Sequence, residues 1–215
     1  TDSHDYHAKL RQQIEQYREV ENIHDLPPIF HYWAGRYLAP PLNRLFGTAD
    51  PVQIFANTFA ECASGGESRF LSIGSGDCSI EVDIATRLKK EGLDFVLECT
   101  ELSPVLLERG REAAKAAGVA HLLVFTEVDI NHWQPSETYA AVMAHHSLHH
   151  IVRLEHVFEQ VHAAMAKGAR FVISDIIGRN GHMRWPEAQR LVEAIWKTLP
   201  ERKKYNQQLR RLEDE

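Results

Sequence analysis

The chain has 215 residues, 44% of them hydrophobic, enough to bury one substantial core, and one domain with an appendage is expected over two full domains. Its formal net charge of −6 provides no basic footprint for a phosphate backbone, so no nucleic-acid partner is expected. No apolar run approaches the ~20 residues that span a bilayer, and Cys62, Cys78 and Cys99 form no CxxC pair. The expectation is therefore a soluble, cytoplasmic protein with buried thiols and no membrane partner.

Residues 1–60 read as a helical cap or lid. AKLRQQIEQYREV has helical spacing, Pro27-Pro28 stops it, and Phe30, His31, Tyr32, Trp33, Arg36 and Tyr37 concentrate before Pro40-Pro41. After Gly65-Gly66 the texture changes to short apolar runs alternating with amphipathic stretches, the pattern of βαβ units, and residues 61–180 read as the core domain. Phe70–Ile73 is the first strand, Ser79–Lys90 a helix, and Phe95–Cys99 the second strand. Ser103 is the N-cap, with Pro104 at the first helical position, of a helix running to Ala117. Leu122–Glu127 and Ala140–Ala144 are the third and fourth strands, and a helix from Arg153 to Ala166 stops at Lys167-Gly168 before a fifth strand, Phe171–Ser174. Residues 181–215 read as a C-terminal helical segment, with Leu191, Val192, Ala194, Ile195 and Leu199 as its stripe and RKKYNQQLRRLEDE as a solvated face. Strands joined by helices in this way give an α/β, doubly wound, mainly parallel sheet, with ligands at the carboxyl ends of its strands.

The first strand leads into FLSIGSGDCSIEV. Gly74 and Gly76 allow a tight turn and close approach of a ligand to the backbone, and the following helix N-terminus offers unpaired N–H groups. Glu101 follows the second strand, on the ligand side of the sheet, where a carboxylate can accept ribose hydroxyls.

The succession IGSGDCS, TELSPVLLERGRE, VDINHW, AAVMAHHSLHHI and ARFVISD resembles class I S-adenosylmethionine (SAM)-dependent methyltransferases of the small-molecule and natural-product type, over roughly residues 65–180. The resemblance implies a Rossmann-like sheet of order 3-2-1-4-5 and SAM as cofactor. Gly74, Ser75, Gly76 and Asp77 would border its amino-acid moiety, Glu101 would bind the ribose, and Asp129 and Ile130 would meet the adenine, with Leu102 beside the base and His145 at the same site. Two positions depart from the pattern. Ser72 stands where such proteins usually carry an acid for the ammonium, with Asp77 as a candidate substitute, and Cys78 replaces a frequent third glycine. The final antiparallel hairpin of the family has no pair of candidate strands here, as a truncated chain would also read.

HHSLHH, residues 145–150, has i, i+4 histidine spacing, but a metal pair at that spacing needs a helix, and no metal is expected. By the resemblance, LHH lines the methyl-transfer pocket, where His149 or His150 would be the general base for a hydroxyl acceptor and Asp175 would orient it. The loop IIGRNGHMRWPEA offers Arg179, Asn180, His182, Arg184 and Trp185 toward a polar small-molecule acceptor. The expected function is SAM-dependent methylation of a small acceptor, most naturally at a hydroxyl, by a chain that can also form a homodimer. The alternatives are an NAD(P)-dependent oxidoreductase, since GSGDCS aligns loosely with GxGxxG, and a non-catalytic SAM-binding or scaffold protein.

Overall fold

The computed structural model describes residues 26–63, 66–176, 184–206 and 209–213. The helical spacing of residues 8–20, the break at Gly65, and Arg179, Asn180 and His182 lie outside those residues. The chain divides into two compact units, Asp50–Met183 and a second made of Thr1–Ala49 with Arg184–Glu215.

The larger unit holds helix α3 (Pro51–Cys62) and the strands and helices that follow it. Its order is β1 (Ser68–Ile73), α4 (Ser79–Lys90), β2 (Phe95–Glu101), α5 (Pro104–Ala116), β3 (Leu123–Glu127), β4 (Tyr139–His145), α6 (Leu154–Ala164) and β5 (Met165–Ser174). The five strands form one parallel sheet of order β3-β2-β1-β4-β5, the doubly wound order expected from the sequence. Successive residues of β1 point to opposite faces. Phe70 joins one core with Phe55, Phe59, Ile84, Leu97 and Met143, while Leu71 and Ile73 join another with Tyr139, Val142, Val157 and Val161. Phe59 stacks on Phe70 at 4.4 Å between ring centroids, so α3 belongs to the sheet unit.

Local chemistry sets the element ends. Asp50 caps α3 by accepting from the Val52 N–H, and Ser103 caps α5 by accepting from the Leu106 N–H. The expected helix of residues 153–166 ends earlier, at Ala164, because Met165 is already extended (ψ 132°) and pairs with Tyr139. Gly168 (φ +84°) is therefore not a helix stop. It lies in β5 where the register with β4 shifts between Tyr139 and Ala141.

In the smaller unit α1 (Pro28–Trp33) continues through a π-helical stretch, Ala34–Leu38, into α2 (Ala39–Phe46). Pro28 opens α1, since its missing N–H falls where no intrahelical bond is needed. Helix α7 (Pro186–Thr198) carries Leu191, Val192, Ala194 and Ile195 of the expected stripe, but the helical reading of Leu199 and the segment after it is corrected: Leu199 is extended and Pro200 follows. Two-residue strands β6 (Tyr205–Asn206) and β7 (Arg211–Leu212) pair there as an antiparallel hairpin separate from the main sheet. Among the described residues no helix is long and apolar enough to cross a membrane.

Candidate functional site at the carboxyl ends of the strands

The glycine turn closes over the end of β2. Gly74 (φ +66°) and Gly76 (φ +57°) take the left-handed backbone that favours glycine, and Cys78 (φ +58°) takes it as the residue before α4. The frequent third glycine is replaced at a cost of roughly 1–2 kcal/mol in backbone strain. Helix α5 gives room for the thiol, because a Cβ at Gly110 would lie 2.8 Å from Cys78 Sγ. Ser75 N–H donates to the Thr100 carbonyl at 2.9 Å, fixing the turn against β2.

Glu101 is the last residue of β2, and its carboxylate is committed to backbone. One oxygen accepts from the N–H of Gly76 at 3.0 Å, the other from those of Leu102 and Ser103 at 2.8 and 2.9 Å. A carboxylate has about four acceptor positions, of which the described residues take three. Burial pushes the Glu101 carboxyl above its ordinary value, against the lowering effect of these three bonds. Asp77 is likewise engaged, accepting from the Ser79 N–H at 3.1 Å.

The acid nearest Ser72 is one the motif reading missed. Ser72 hydroxyl donates to Glu81 Oε1 at 2.6 Å, and both side chains are buried. Burial pushes the Glu81 carboxyl up to about 7, the Ser72 bond opposing and the nearby acids Asp77 and Glu101 adding to the rise. The signal was present: Glu81, Val82, Ile84, Ala85 and Leu88 form one buried helical stripe, and Glu81 is its charged member.

After β3, Asp129 caps a 3₁₀ turn, Ile130–His132. Its Oδ1 accepts from the backbone N–H and the side-chain amide of Asn131, both at 3.0 Å, and its Oδ2 meets His132 Nδ1 at 3.0 Å. Ile130 is half-buried against the core that contains Leu71 and Ile73.

The four histidines separate into two pairs. His145 ends β4 with its ring edge-on to Phe55 at 5.6 Å, and His146 (φ +50°) turns the chain, donating its N–H to the Ser174 carbonyl. His149 and His150 share a second 3₁₀ turn, Leu148–His150, with ring centroids 4.1 Å apart. The chain between the pairs is not α-helical, so i, i+4 spacing does not align them. Among the described residues no three His, Cys, Asp or Glu side chains converge to hold a metal ion.

Asp175, just past β5, distinguishes His149 from His150. Its Oδ1 lies 2.6 Å from His149 Nδ1, and the two side chains are only 12% and 8% exposed. Oδ2 accepts from the N–H groups of Ser147 and Leu148 at 3.0 and 2.6 Å, and Oδ1 also from that of Ile176. Burial would raise the Asp175 carboxyl, but the His149 bond, the N–H groups of Ile176 and Leu148 and the imidazole's charge outweigh it and hold the carboxyl at about 2. An ionised carboxylate only accepts, so Nδ1 carries the proton and Nε2 is the acceptor nitrogen of the neutral ring. Burial holds the neighbouring His146 below its ordinary value, against the field of Asp175.

Ser147 joins this turn to the glycine turn. Its hydroxyl donates to the Ile73 carbonyl at 2.6 Å, and a Cβ at Gly74 would lie 2.6 Å from Ser147 Cβ. Gly74 thus makes room for a protein side chain, a constraint invisible in the motif. Gly74 to Asp77, Glu101, Asp129, Ile130, His145, His149, His150 and Asp175 all stand at or just past the carboxyl ends of the strands, on the larger unit. Arg184 and Trp185 belong to the smaller unit.

The sequence matches no protein-family model and no curated protein. Among solved structures it is similar to DhpI in its complex with SAH, at 18% identity and a TM-score of 0.51 over 89% of this chain and 87% of that one. The two share a fold. It is also similar to SAM-dependent methyltransferases from Geobacter sulfurreducens (15% identity, TM-score 0.46) and Thiobacillus denitrificans (17%, 0.45), each crystallised with S-adenosyl-L-homocysteine. Both likenesses cover 69% of this chain, which spans 55% of the length of each of those proteins.

Proposed function

We infer that the chain is a SAM-dependent methyltransferase acting on a small acceptor at a hydroxyl, with His149 as general base and Asp175 orienting it. The observation that carries this reading is the buried His149–Asp175 pair, with Nδ1 committed to the carboxylate, on the same edge of the sheet as the glycine turn and Glu101. The shared fold with DhpI, solved with SAH bound, supports the choice of ligand.

The residues present fit that ligand. Glu101, with one acceptor position not taken by the described residues, would bind a ribose hydroxyl, α4 begins directly behind the glycine turn where a carboxylate is favoured, and Asp129 and Ile130, in the turn after β3, would meet the adenine. SAM supplies an activated methyl group that needs no further leaving-group assistance. The protein's share is alignment and proton removal. His149 Nε2 would take the acceptor's hydroxyl proton as the bond to carbon forms, typically contributing ~10²–10⁴-fold. Asp175 fixes the tautomer and stabilises the imidazolium. An amine or carbon acceptor would place other demands on the site, and the histidine–carboxylate pair favours oxygen.

Two measurements test the reading. Calorimetry should show binding of SAH and none of NAD. Incubation with methyl-labelled SAM and a metabolite extract should then yield a labelled small molecule, lost in the His149→Ala variant. Preference for NAD would overturn the assignment, and SAH binding without transfer to any acceptor would leave a binding protein in its place.

A further inference from the structure

Asn131 is 6% exposed, in the 3₁₀ turn after β3. Its side-chain carbonyl accepts from two backbone N–H groups just before α6, those of Val152 and Arg153, at 3.0 and 2.9 Å. Its amide nitrogen donates to Asp129 Oδ1 at 3.0 Å. One side chain thus holds two loops that enter the sheet edge from different strands, separated by about twenty residues of sequence.

The chemistry requires an amide. An alanine would leave two N–H groups without this acceptor and Asp129 Oδ1 without one of its donors. An aspartate would still accept from Val152 and Arg153 but would set a second carboxylate against Asp129 where a donor is needed. Only a residue that accepts at one end and donates at the other fits both neighbours.

The segment held in this way is the one that carries the histidines. Ser147 and Leu148 at its start are bound by Asp175, and Ser147 also by Ile73. Val152 and Arg153 at its end are bound by Asn131. His149 and His150 lie between two fixed points, one on β1 and β5, the other on the loop after β3. We propose that Asn131 is a positioning residue, coupling the loop where adenine would lie to the turn that orients His149, so that ligand contact at Asp129 and Ile130 steadies the base. This rests on the methyltransferase reading above.

The test is hydrogen exchange on the full chain, with and without SAH, for the wild type, Asn131→Ala and Asn131→Asp, together with NMR titration of His149. Without ligand, Asn131→Ala should speed exchange at Val152 and Arg153 by roughly tenfold or more and move the His149 midpoint, while amides in β1 and β4 keep their protection. With SAH, the wild type should gain protection at residues 129–133 and also at 147–153. Both variants should gain only the first. Asn131→Asp is decisive between capping and coupling, since it keeps the acceptor for Val152 and Arg153 and should retain their slow exchange without ligand while still losing the protection that SAH adds. If Asn131→Ala does not fold, Asn131→Asp answers alone. SAH protection of 147–153 in a variant equal to the wild type would overturn the proposal. Failure of the wild type to bind SAH would instead overturn the functional reading, and unchanged exchange and His149 midpoint in ligand-free Asn131→Ala would overturn the pin by itself.

Discussion

Glu101 and Asp175 occupy matching places, at the end of β2 and just past β5, and each accepts three backbone N–H groups, yet their carboxyls are displaced in opposite directions. Burial raises Glu101 because, among the described residues, no cation stands beside it to offset desolvation. His149 supplies that partner to Asp175, and its carboxyl is held at about 2. The same backbone cradle thus serves two ends. At Glu101 it shapes a turn, with one acceptor position not taken by the described residues, and at Asp175 it fixes a negative charge that selects an imidazole tautomer.

The strongest way to break both ends together is Gly74→Ala, which strains a backbone at φ +66° and drives a Cβ to 2.6 Å from that of Ser147. We expect a loss of about 3 kcal/mol in unfolding free energy by chemical denaturation. Gly118→Ala is the control, since it has a similar φ of +69° but nothing within 4 Å, and should cost only about 1 kcal/mol. Equal losses would show that the glycine turn and the histidine turn are not packed against each other.

Breaking the Asp175 end alone is the next effect in size. His149→Ala should lower turnover about 10²-fold, equivalent to ~2.7 kcal/mol, and leave SAH affinity within a few-fold. His150→Ala should cost less than tenfold, because only His149 bonds Asp175 among the two. Equal losses at positions 149 and 150 would remove the base from this pair.

At the other end, Glu101→Ala should weaken SAH binding by about 2 kcal/mol, measured by calorimetry. It should also cost about 1–2 kcal/mol of stability, because three N–H groups lose their acceptor. An undisturbed melting temperature would mean that water replaces the carboxylate in the cradle.

The smallest expected effect sharpens the role of burial without a cation. Glu81 has a folded-state carboxyl raised to about 7 from 4.5, so the folded state holds its proton where the unfolded chain has lost it. Its contribution is fully present below about pH 4.5 and is lost as pH rises through about 7. Glu81→Gln keeps an acceptor for Ser72 and removes the ionisation, so it should be about 1–2 kcal/mol more stable than the wild type at pH 8, with the advantage gone at pH 4. The opposite dependence on pH would show that Glu81 is ionised and paired in the fold.

Much of this molecule was legible in its sequence, for local reasons. Helix α4 begins and ends where its spacing indicated, Ser103 and Pro104 open α5, and five apolar runs became five strands, because periodicity, caps and glycines act over a few residues. Misreadings arose where distant partners overrode local signals. Lys167-Gly168 resembles a helix stop, but pairing with Tyr139 draws Met165 into a strand. The charged C-terminal run resembles a solvated helix face, yet the helix ends before it, at Thr198 ahead of Pro200, and Tyr205–Asn206 pairs with Arg211–Leu212. The site divides the same way. The sequence by itself placed the glycine turn, Glu101 and the histidine run at strand ends, since a strand followed by a turn declares its own carboxyl end. Only the tertiary structure decided that His149 and not His150 meets Asp175, that Gly74 makes way for Ser147, and that Ser72 finds its acid in Glu81 and the histidine turn its anchor in Asn131. Each of these joins residues far apart in the chain through hydrogen bonds or contacts of a few ångströms, and spacing along a sequence carries no record of such distances.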